Sequence, residues 1–194
     1  MRPSAKNYII EAFLYLFRIE EFKKISVSMI VKKAGINRKT FYDYFENRED
    51  LLDRVEKNIL EEFIHILGEP SEEKLNDARK SITNGQPLIQ TIDICKHIQS
   101  YFHFYKDRLK NGGFIERFSD MIYAYLYNLS KDSAVSTYIS YGTIGYIKKW
   151  IDTECKEPVD SIALGMATTT FKPLTDYLQN SETRNSNNLH NAYA

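Results

Sequence analysis

Apolar residues recur every three or four positions through the first 67 residues, which is the spacing of amphipathic helices. The pattern predicts helices over residues 4–19, 26–34, 38–45 and 47–67. Four polar residues stand where helix N-caps are expected: Ser4, Ser26, Asn37 and Asn47. Gly35 suits the left-handed conformation that ends a helix. This part of the chain is therefore predicted to form three short helices followed by a long one.

The rest of the chain also has helical spacing. Residues 68–87 are polar and form the best candidate for a hinge, with a helical turn or more around residues 72–80. Further helices are predicted over residues 88–109, 114–129 and 133–153, and from Pro158 to about residue 178. The segment after residue 180 is rich in Asn and Ser, and we expect it to be flexible. No segment is persuasive as a strand, so the predicted fold class is all-α.

Charge is distributed unevenly along the chain. The formal net charge of the 194 residues is zero, but residues 1–48 contain ten basic and five acidic side chains, so this quarter carries about +5. Phosphate attraction acts over about 10 Å, the Debye length, so the local excess is the relevant quantity. The N-terminal quarter is therefore a candidate nucleic-acid-binding unit.

The helix over residues 38–45 concentrates polar side chains that can contact DNA: Arg38, Lys39, Thr40, Tyr42 and Tyr44. Arginine and lysine can bind O6 and N7 of guanine in the major groove, whereas hydroxyl groups suit phosphates or base edges. Ser26 and Arg48 stand at the N-termini of two neighbouring helices, where a phosphate would meet free backbone N–H groups. The alternative is that an amphipathic three-helix domain carries such residues for structural reasons only.

The order of residues from Ser26 to Phe45, SVSMIVKKAGINRKTFYDYF, followed by NREDLL from Asn47 to Leu52, resembles the signature of the TetR family of bacterial transcriptional regulators. The resemblance covers about residues 8–55. It implies an all-α homodimer that binds a double-stranded DNA operator through its N-terminal helices. It also implies phosphate contacts for Ser26, Tyr42 and Arg48 and groove contacts for Arg38, Lys39, Thr40 and Tyr44. The family often has His in place of Tyr44 and Lys in place of Arg48, so the operator sequence stays undetermined.

The resemblance gives the expected domain organisation and function. We expect a helix-turn-helix DNA-binding domain in residues 1–50, a helical effector-binding and dimerisation domain in residues 51–180, and a flexible tail in residues 181–194. The expected function is a cytoplasmic transcriptional regulator, a repressor released by an effector. The alternative is a regulator or activator whose C-terminal domain binds a protein coregulator.

The C-terminal half is rich in aromatic residues, which could line a pocket for a small effector. The candidate pocket residues are Tyr101, Phe102, Tyr105, Phe118 and Tyr123. The competing interpretation is that these rings fill the core of a helical bundle. The segment from Tyr141 to Trp150 resembles the branch of the family related to dihydroxyacetone-kinase operon regulators, some of which answer to a protein coregulator.

Small residues in the last two predicted helices permit close approach between helix pairs of two subunits. The candidate dimer-interface residues are Gly142, Gly145, Trp150, Ala163 and Ala167. The competing interpretation is tight packing inside one subunit.

Other chemistry is weakly represented in the sequence. Asp93, His97 and Tyr101 are spaced four residues apart, but one such group falls short of a stable metal site. The residues show no nucleophile arrangement and no glycine-rich phosphate loop. Cys95 and Cys155 are too few for a disulfide framework. We therefore expect no catalytic activity, metal or cofactor, and no signal peptide or membrane partner.

Overall fold

The computed structural model describes residues 4–69, 71–172 and 176. These residues form ten α-helices and no strand, which confirms the all-α prediction. The helices are α1 Ala5–Leu16, α2 Val27–Ala34, α3 Arg38–Tyr42, α4 Arg48–Leu67, α5 Glu72–Thr83, α6 Ile89–Ser100, α7 Phe102–Arg108, α8 Gly112–Ser130, α9 Ser133–Asp152 and α10 Val159–Met166. A 3-10 turn, Phe22–Lys24, precedes α2, and a π-helical segment, Ala167–Phe171, follows α10. The predicted flexible tail, residues 181–194, lies outside the described residues.

Local capping explains where the N-terminal helices begin. The side chains of Ser4, Ser26, Asn37 and Asn47 each accept a hydrogen bond from a backbone N–H three residues later. Each such cap contributes about 1 kcal/mol to helix stability. The four predicted helix starts are confirmed for this reason.

Two helices differ from the sequence-based prediction. The helix predicted over residues 88–109 is divided at Tyr101, which ends α6 and begins α7 with φ −106° and ψ 24°. Both pieces bury apolar residues, so the apolar spacing continues through the change of direction. The predicted hinge contains α5, which Ser71 caps and which packs through Ala78 and Ile82 against Leu88 and Ala167.

The ends of two other predicted helices, the one over residues 38–45 and the last one, also differ from the prediction. Regular α-helix in the segment predicted over residues 38–45 ends at Tyr42. Tyr44 and Phe45 continue in a turn whose amides donate to the Phe41 carbonyl. The last helix changes to π geometry at Ala167.

One hydrophobic core extends from α1 to α10. Phe41 and Phe45 anchor α3 against the N-terminal helices, and α4 continues from this unit into the C-terminal bundle. In that bundle α8 and α9 form the most extensive contact between two helices. The continuous core means that α4 belongs to both halves of the protein.

A buried ion cluster also joins α4 to the C-terminal half. The Glu56 side chain is 3% exposed and accepts a hydrogen bond from Nε of Arg108 at 2.6 Å. Arg117 donates to the other Glu56 oxygen. A buried carboxylate requires such partners because water cannot solvate it.

Gly35 provides a test of local backbone strain at the bend between α2 and α3. Its φ is +68°, and a Cβ added there would meet nothing within 4 Å. Gly35→Ala should therefore lower the free energy of unfolding by about 1–2 kcal/mol through backbone strain alone. Urea unfolding at a fixed protein concentration measures this change. Gly112→Ala, in a helix and equally open, is the control, and equal unfolding midpoints for the two variants would contradict the strain explanation.

Candidate nucleic-acid interface

The bend between α2 and α3 is set by two consecutive local features. The N–H of left-handed Gly35 bonds to the Lys32 carbonyl as α2 ends. Two residues later Asn37 caps α3 by accepting a hydrogen bond from the Thr40 amide at 2.8 Å. The N-terminal end of α3 is thereby fixed relative to α2, which is the arrangement of a helix-turn-helix unit.

The two faces of α3 have opposite character. Phe41 and the following Phe45 are fully buried. Arg38 and Lys39 are exposed at the N-terminal end, while Tyr42 and Tyr44 are 52% and 39% exposed. The helix therefore presents a cationic end and two tyrosine hydroxyls to solvent.

Two of the predicted DNA-binding residues are already oriented by neighbours. Nη2 of Arg38 donates to Oγ of Ser28 on α2 at 3.1 Å. Thr40 is half-buried, and its hydroxyl bonds to the Asn37 side chain at 3.2 Å. Ser28 was not predicted as a site residue, because nothing in the sequence indicates that it lies beside Arg38. Ser26 lies at the exposed N-terminus of α2, where its oxygen accepts the Met29 amide at 3.3 Å.

Arg48 occupies a different environment from the one predicted. Its Nη1 donates to the carbonyl oxygens of Phe22, Lys23 and Ile25, at 3.3, 3.3 and 2.5 Å. Its Nε donates to the Glu49 carboxylate at 2.8 Å. The guanidinium is turned toward the chain segment between α1 and α2, where it already has these partners, and the predicted phosphate contact stays a prediction.

The candidate pocket residues do not line a common cavity. Tyr105 and Phe118 are fully buried, and the Phe118 ring packs edge-on against Phe63 with centroids 4.9 Å apart. Tyr101 and Phe102 instead face an open groove of about 560 Å³ beside α1. Tyr123 stacks on Tyr127, and its hydroxyl donates to Ser133 at 3.2 Å. The aromatic cluster is filled because its own rings occupy the space between the helices.

A small apolar cavity lies elsewhere in the bundle, among α4, α6, α8, α9 and the π-helical segment. Its volume is about 30 Å³, well below the roughly 300–1,000 Å³ of a typical ligand pocket. Thr143 and Thr170 at its wall bond to each other at 3.0 Å. The space is too small for a metabolite unless the surrounding helices move.

His97 is a core residue. It is buried against α4 and α7, and a 3.1 Å hydrogen bond joins its Nε2 to the Tyr105 hydroxyl. Nδ1 lies 3.7 Å from Oε2 of Glu62. Burial lowers the pKa of His97 below its usual 6.5, and the Glu62 carboxylate opposes part of this shift.

The candidate dimer-interface residues divide into two groups. Trp150, Ala163 and Ala167 lie in the core of the single chain, and Nε1 of Trp150 donates to the Glu157 carbonyl at 3.0 Å. A partner subunit cannot reach these three side chains, so their packing is internal. Gly142 and Gly145 are exposed on α9, and a Cβ at either position would meet nothing within 4 Å.

The exposed face of α9 also contains two tyrosines. Tyr138 and Tyr141 are 82% and 51% exposed, and they lie beside Gly142 at helical spacing. A face with two open glycines and two exposed aromatic rings can accept another helix at close range.

The other sequence features have structural explanations. Cys95 and Cys155 are free, and burial raises the pKa of the Cys95 thiol to about 12, which keeps it protonated. Within the described ranges, no three His, Cys, Asp or Glu side chains form a group that could hold a metal ion. No helix in that part of the chain is long and apolar enough to cross a membrane.

Two family models match this chain. Residues 9–55 match the model described as bacterial regulatory proteins, tetR family, and residues 86–172 match the model described as transcriptional regulator C-terminal region. The chain belongs to the TetR family. This membership confirms the resemblance found in the sequence.

Individual relatives of this TetR-family chain are similar over limited lengths. It is 42% identical over 60 residues to the HTH-type dhaKLM operon transcriptional activator DhaS of Lactococcus lactis subsp. lactis (strain IL1403), which is 31% of this chain and 32% of DhaS. It is 34% identical over 76 residues to the uncharacterized HTH-type transcriptional regulator YxbF of Bacillus subtilis (strain 168), which is 37% of this chain and 20% of YxbF. The matched parts therefore span a third or less of these relatives.

A solved structure extends the fold comparison to most of the TetR-family chain. The dihydroxyacetone kinase operon activator DhaS superposes with a TM-score of 0.61 at 19% identity, covering 90% of this chain and 96% of that one. At this identity the superposition demonstrates a shared fold. It confirms an N-terminal helix-turn-helix domain followed by a C-terminal helical domain.

The buried His97 predicts a pH-dependent stability. The unfolded chain takes up the proton near pH 6.5, above the lowered pKa of the folded state, so His97 favours folding above that pH and opposes it as the pH falls through it. The gap between the melting temperatures of the wild type and His97→Gln should therefore narrow as the pH falls from 8 to 5.5. Thermal unfolding monitored by circular dichroism measures the gap. A gap independent of pH would contradict the assignment, and the other histidines cancel because both proteins contain them.

Proposed function

We propose that this chain is a homodimeric transcriptional regulator of the cytoplasm that inserts α3 into the major groove of an operator. The observation that carries the proposal is the orientation of α3, whose Phe41 and Phe45 are buried while Arg38 and Lys39 are exposed at its N-terminal end. A recognition helix needs this division, because the buried face fixes the helix and the exposed face contacts base edges. Regulation of transcription, rather than catalysis, is the function it supports.

The exposed residues have distinct roles in this proposal. Arg38 and Lys39 contact O6 and N7 of guanine, and the bond from Arg38 to Ser28 limits the positions that the guanidinium can adopt. Thr40 and Tyr44 face the groove, while Tyr42 contacts a phosphate. Ser26 donates its hydroxyl to a phosphate at the N-terminus of α2.

We further propose that the exposed face of α9 forms the dimer interface, through Tyr138, Tyr141, Gly142 and Gly145. Two copies are needed because one five-residue recognition helix covers a single half-site. Pairing through α9 would bring two recognition helices to successive major grooves if they lie about 34 Å apart.

Two kinds of input could control this regulator, and the packing favours one of them. Release of a repressor by a small effector needs an enclosed cavity, but the aromatic cluster around Tyr105 is filled, the apolar cavity beside Thr143 is only about 30 Å³, and the larger groove at Tyr101 is open to solvent. Binding of a protein coregulator needs only a surface. One relative carries the name of an operon activator, which supports a coregulated activator as the second form of the proposal.

Selection of random double-stranded DNA with the purified protein tests the central proposal. We expect a palindromic operator to be enriched, because a two-fold symmetric dimer presents the same helix twice. Failure to enrich any sequence would overturn the proposed function. Thermal-shift assays with metabolites and with proteins encoded by neighbouring genes then compare the two inputs.

Arg38→Ala should relax discrimination at one base pair of each half-site. The loss of a bidentate contact to guanine corresponds to about 1–3 kcal/mol between the preferred and a substituted base pair. Fluorescence anisotropy with the operator and with an operator that carries the substituted base pair measures this difference in binding free energy. Lys80→Ala, an exposed cation on α5, is the control and should leave discrimination unchanged. Unchanged discrimination in Arg38→Ala would remove Arg38 from the recognition surface.

Gly142→Glu should convert the dimer to a monomer and abolish high-affinity operator binding. The single chain has room for the side chain, and Glu favours helix more than Gly, so the fold should persist. At a two-fold interface, however, the substitution would bury like charges. Light scattering coupled to size-exclusion chromatography measures the mass, with Gly112→Glu as the matched control. A dimeric Gly142→Glu protein would exclude this face of α9.

A further inference from the structure

One backbone group of the 3-10 turn Phe22–Lys24 is hydrogen-bonded to the C-terminal half. The Phe22 N–H donates to Oδ1 of Asp107 on α7 at 3.2 Å, although the two residues are 85 positions apart. An exposed ion pair at 3.0 Å joins the preceding Glu21 to Lys110, but such a pair contributes little. The Asp107 carboxylate is therefore the principal polar link to this turn.

The same turn is bound on its other side to α4. Nη1 of Arg48 donates to the Phe22 carbonyl at 3.3 Å, and the Arg48 guanidinium lies 4.8 Å from the centre of the Phe22 ring. Arg48 is the first residue of α4, six positions after the end of α3. The turn thus lies between the C-terminal half and the helix that immediately follows the recognition helix.

Apolar contacts hold Phe22 itself in place. Its ring stacks on Phe17 with centroids 6.4 Å apart and meets Phe13 edge-on at 6.2 Å. The Arg108 guanidinium approaches it at 5.8 Å. A displacement of α7 would therefore move Phe22 together with the N-terminal core, rather than detach a loose loop.

We infer that Asp107 is a positioning residue for DNA recognition, acting on α3 through Phe22 and Arg48. We call Asp107, Phe22 and Arg48 together the Phe22 strap. The inference rests on the proposed function of α3, and it assigns to Arg48 a structural link in place of the phosphate contact expected from the family resemblance. A rearrangement of the C-terminal half would reach the recognition helix through the strap.

The two assignments of Arg48 predict different salt dependence. A phosphate contact contributes about 0.9 to the slope of log Kd against log salt, so its loss would flatten the slope by that amount. A positioning residue leaves the number of phosphate contacts unchanged. Arg48→Met retains much of the apolar stem and removes the donors, so we expect weaker operator binding with an unchanged slope. A slope flattened by about 0.9 would overturn the positioning role of Arg48.

Asp107→Ala tests the C-terminal end of the strap. Operator affinity should fall about tenfold, which is the factor expected for loss of one hydrogen bond to a charged group. Affinity for scrambled DNA should stay constant, because the cationic surface itself is intact. Asp107→Asn keeps an acceptor oxygen and should retain more operator affinity than Asp107→Ala. Fluorescence anisotropy at one salt concentration measures the affinity of the wild type and of each variant for both DNAs.

Lys106→Ala is the matched control on α7, because Lys106 pairs with Glu154 at 3.3 Å and its ammonium lies over the Phe102 ring. It should leave operator affinity unchanged. The double variant Asp107→Ala with Arg48→Met should lose less affinity than the two single losses combined, since both residues act through Phe22. Fully additive losses would overturn the strap as a single unit.

Hydrogen exchange at the Phe22 amide provides a readout that needs no DNA. Exchange should accelerate in Asp107→Ala and stay slow in Asp107→Asn and Lys106→Ala. The inference is overturned if exchange is unchanged in Asp107→Ala, or if that variant loses operator and scrambled-DNA affinity equally. If the wild type selects no operator while exchange at the Phe22 amide still depends on Asp107, the proposed function is rejected but the contact between Asp107 and Phe22 stands.

Discussion

The buried carboxylate of Glu56 is the constraint on which the relation between the two halves depends. It lies on α4 where water cannot solvate it, and it is stabilised by Arg108 of α7 and Arg117 of α8. Removing a partner from such a buried ion pair typically costs about 3–5 kcal/mol, because the remaining charge is left uncompensated. The geometry of the pair therefore limits how α4 can move against the C-terminal bundle. Since α4 is the next helix after α3, that limit extends to α3, the recognition helix of the proposed function.

Polar and apolar links at this junction have complementary effects. The continuous hydrophobic core makes the two halves adhere, but apolar contacts are not directional and tolerate small sliding movements. The hydrogen bonds of Glu56, Asp107 and Arg48 select one arrangement among those that the core would allow. A regulator needs such a junction, because an input in the C-terminal half can change DNA affinity only by favouring one of two arrangements.

The C-terminal half uses its aromatic residues mainly for stability. Tyr105, Phe114 and Phe118 contact one another in the core, and His97 shares a hydrogen bond with Tyr105 rather than facing a ligand. The two most exposed tyrosines of this half, Tyr138 and Tyr141, lie on α9 and away from its buried Ile144 and Ile147. The same residue type thus fills the interior on one helix and forms a candidate contact surface on another. Composition alone cannot distinguish these uses.

The sequence by itself determined the features that depend on neighbours a few residues away. Ser26, Asn37 and Asn47 each cap a helix by accepting a hydrogen bond from the backbone N–H three residues later. Gly35 ends α2 by its own backbone conformation. The spacing of Phe41 and Phe45 assigned the buried face of α3. Only the tertiary structure decided the partners of distant residues. It turned Arg48 toward carbonyls 23 to 26 positions away and enclosed Trp150, Ala163 and Ala167 within one chain. It also divided the helix at Tyr101. Apolar periodicity identifies a face that will be buried but not the element that covers it, and a cation has the same sequence signature whether it meets a carbonyl or a phosphate.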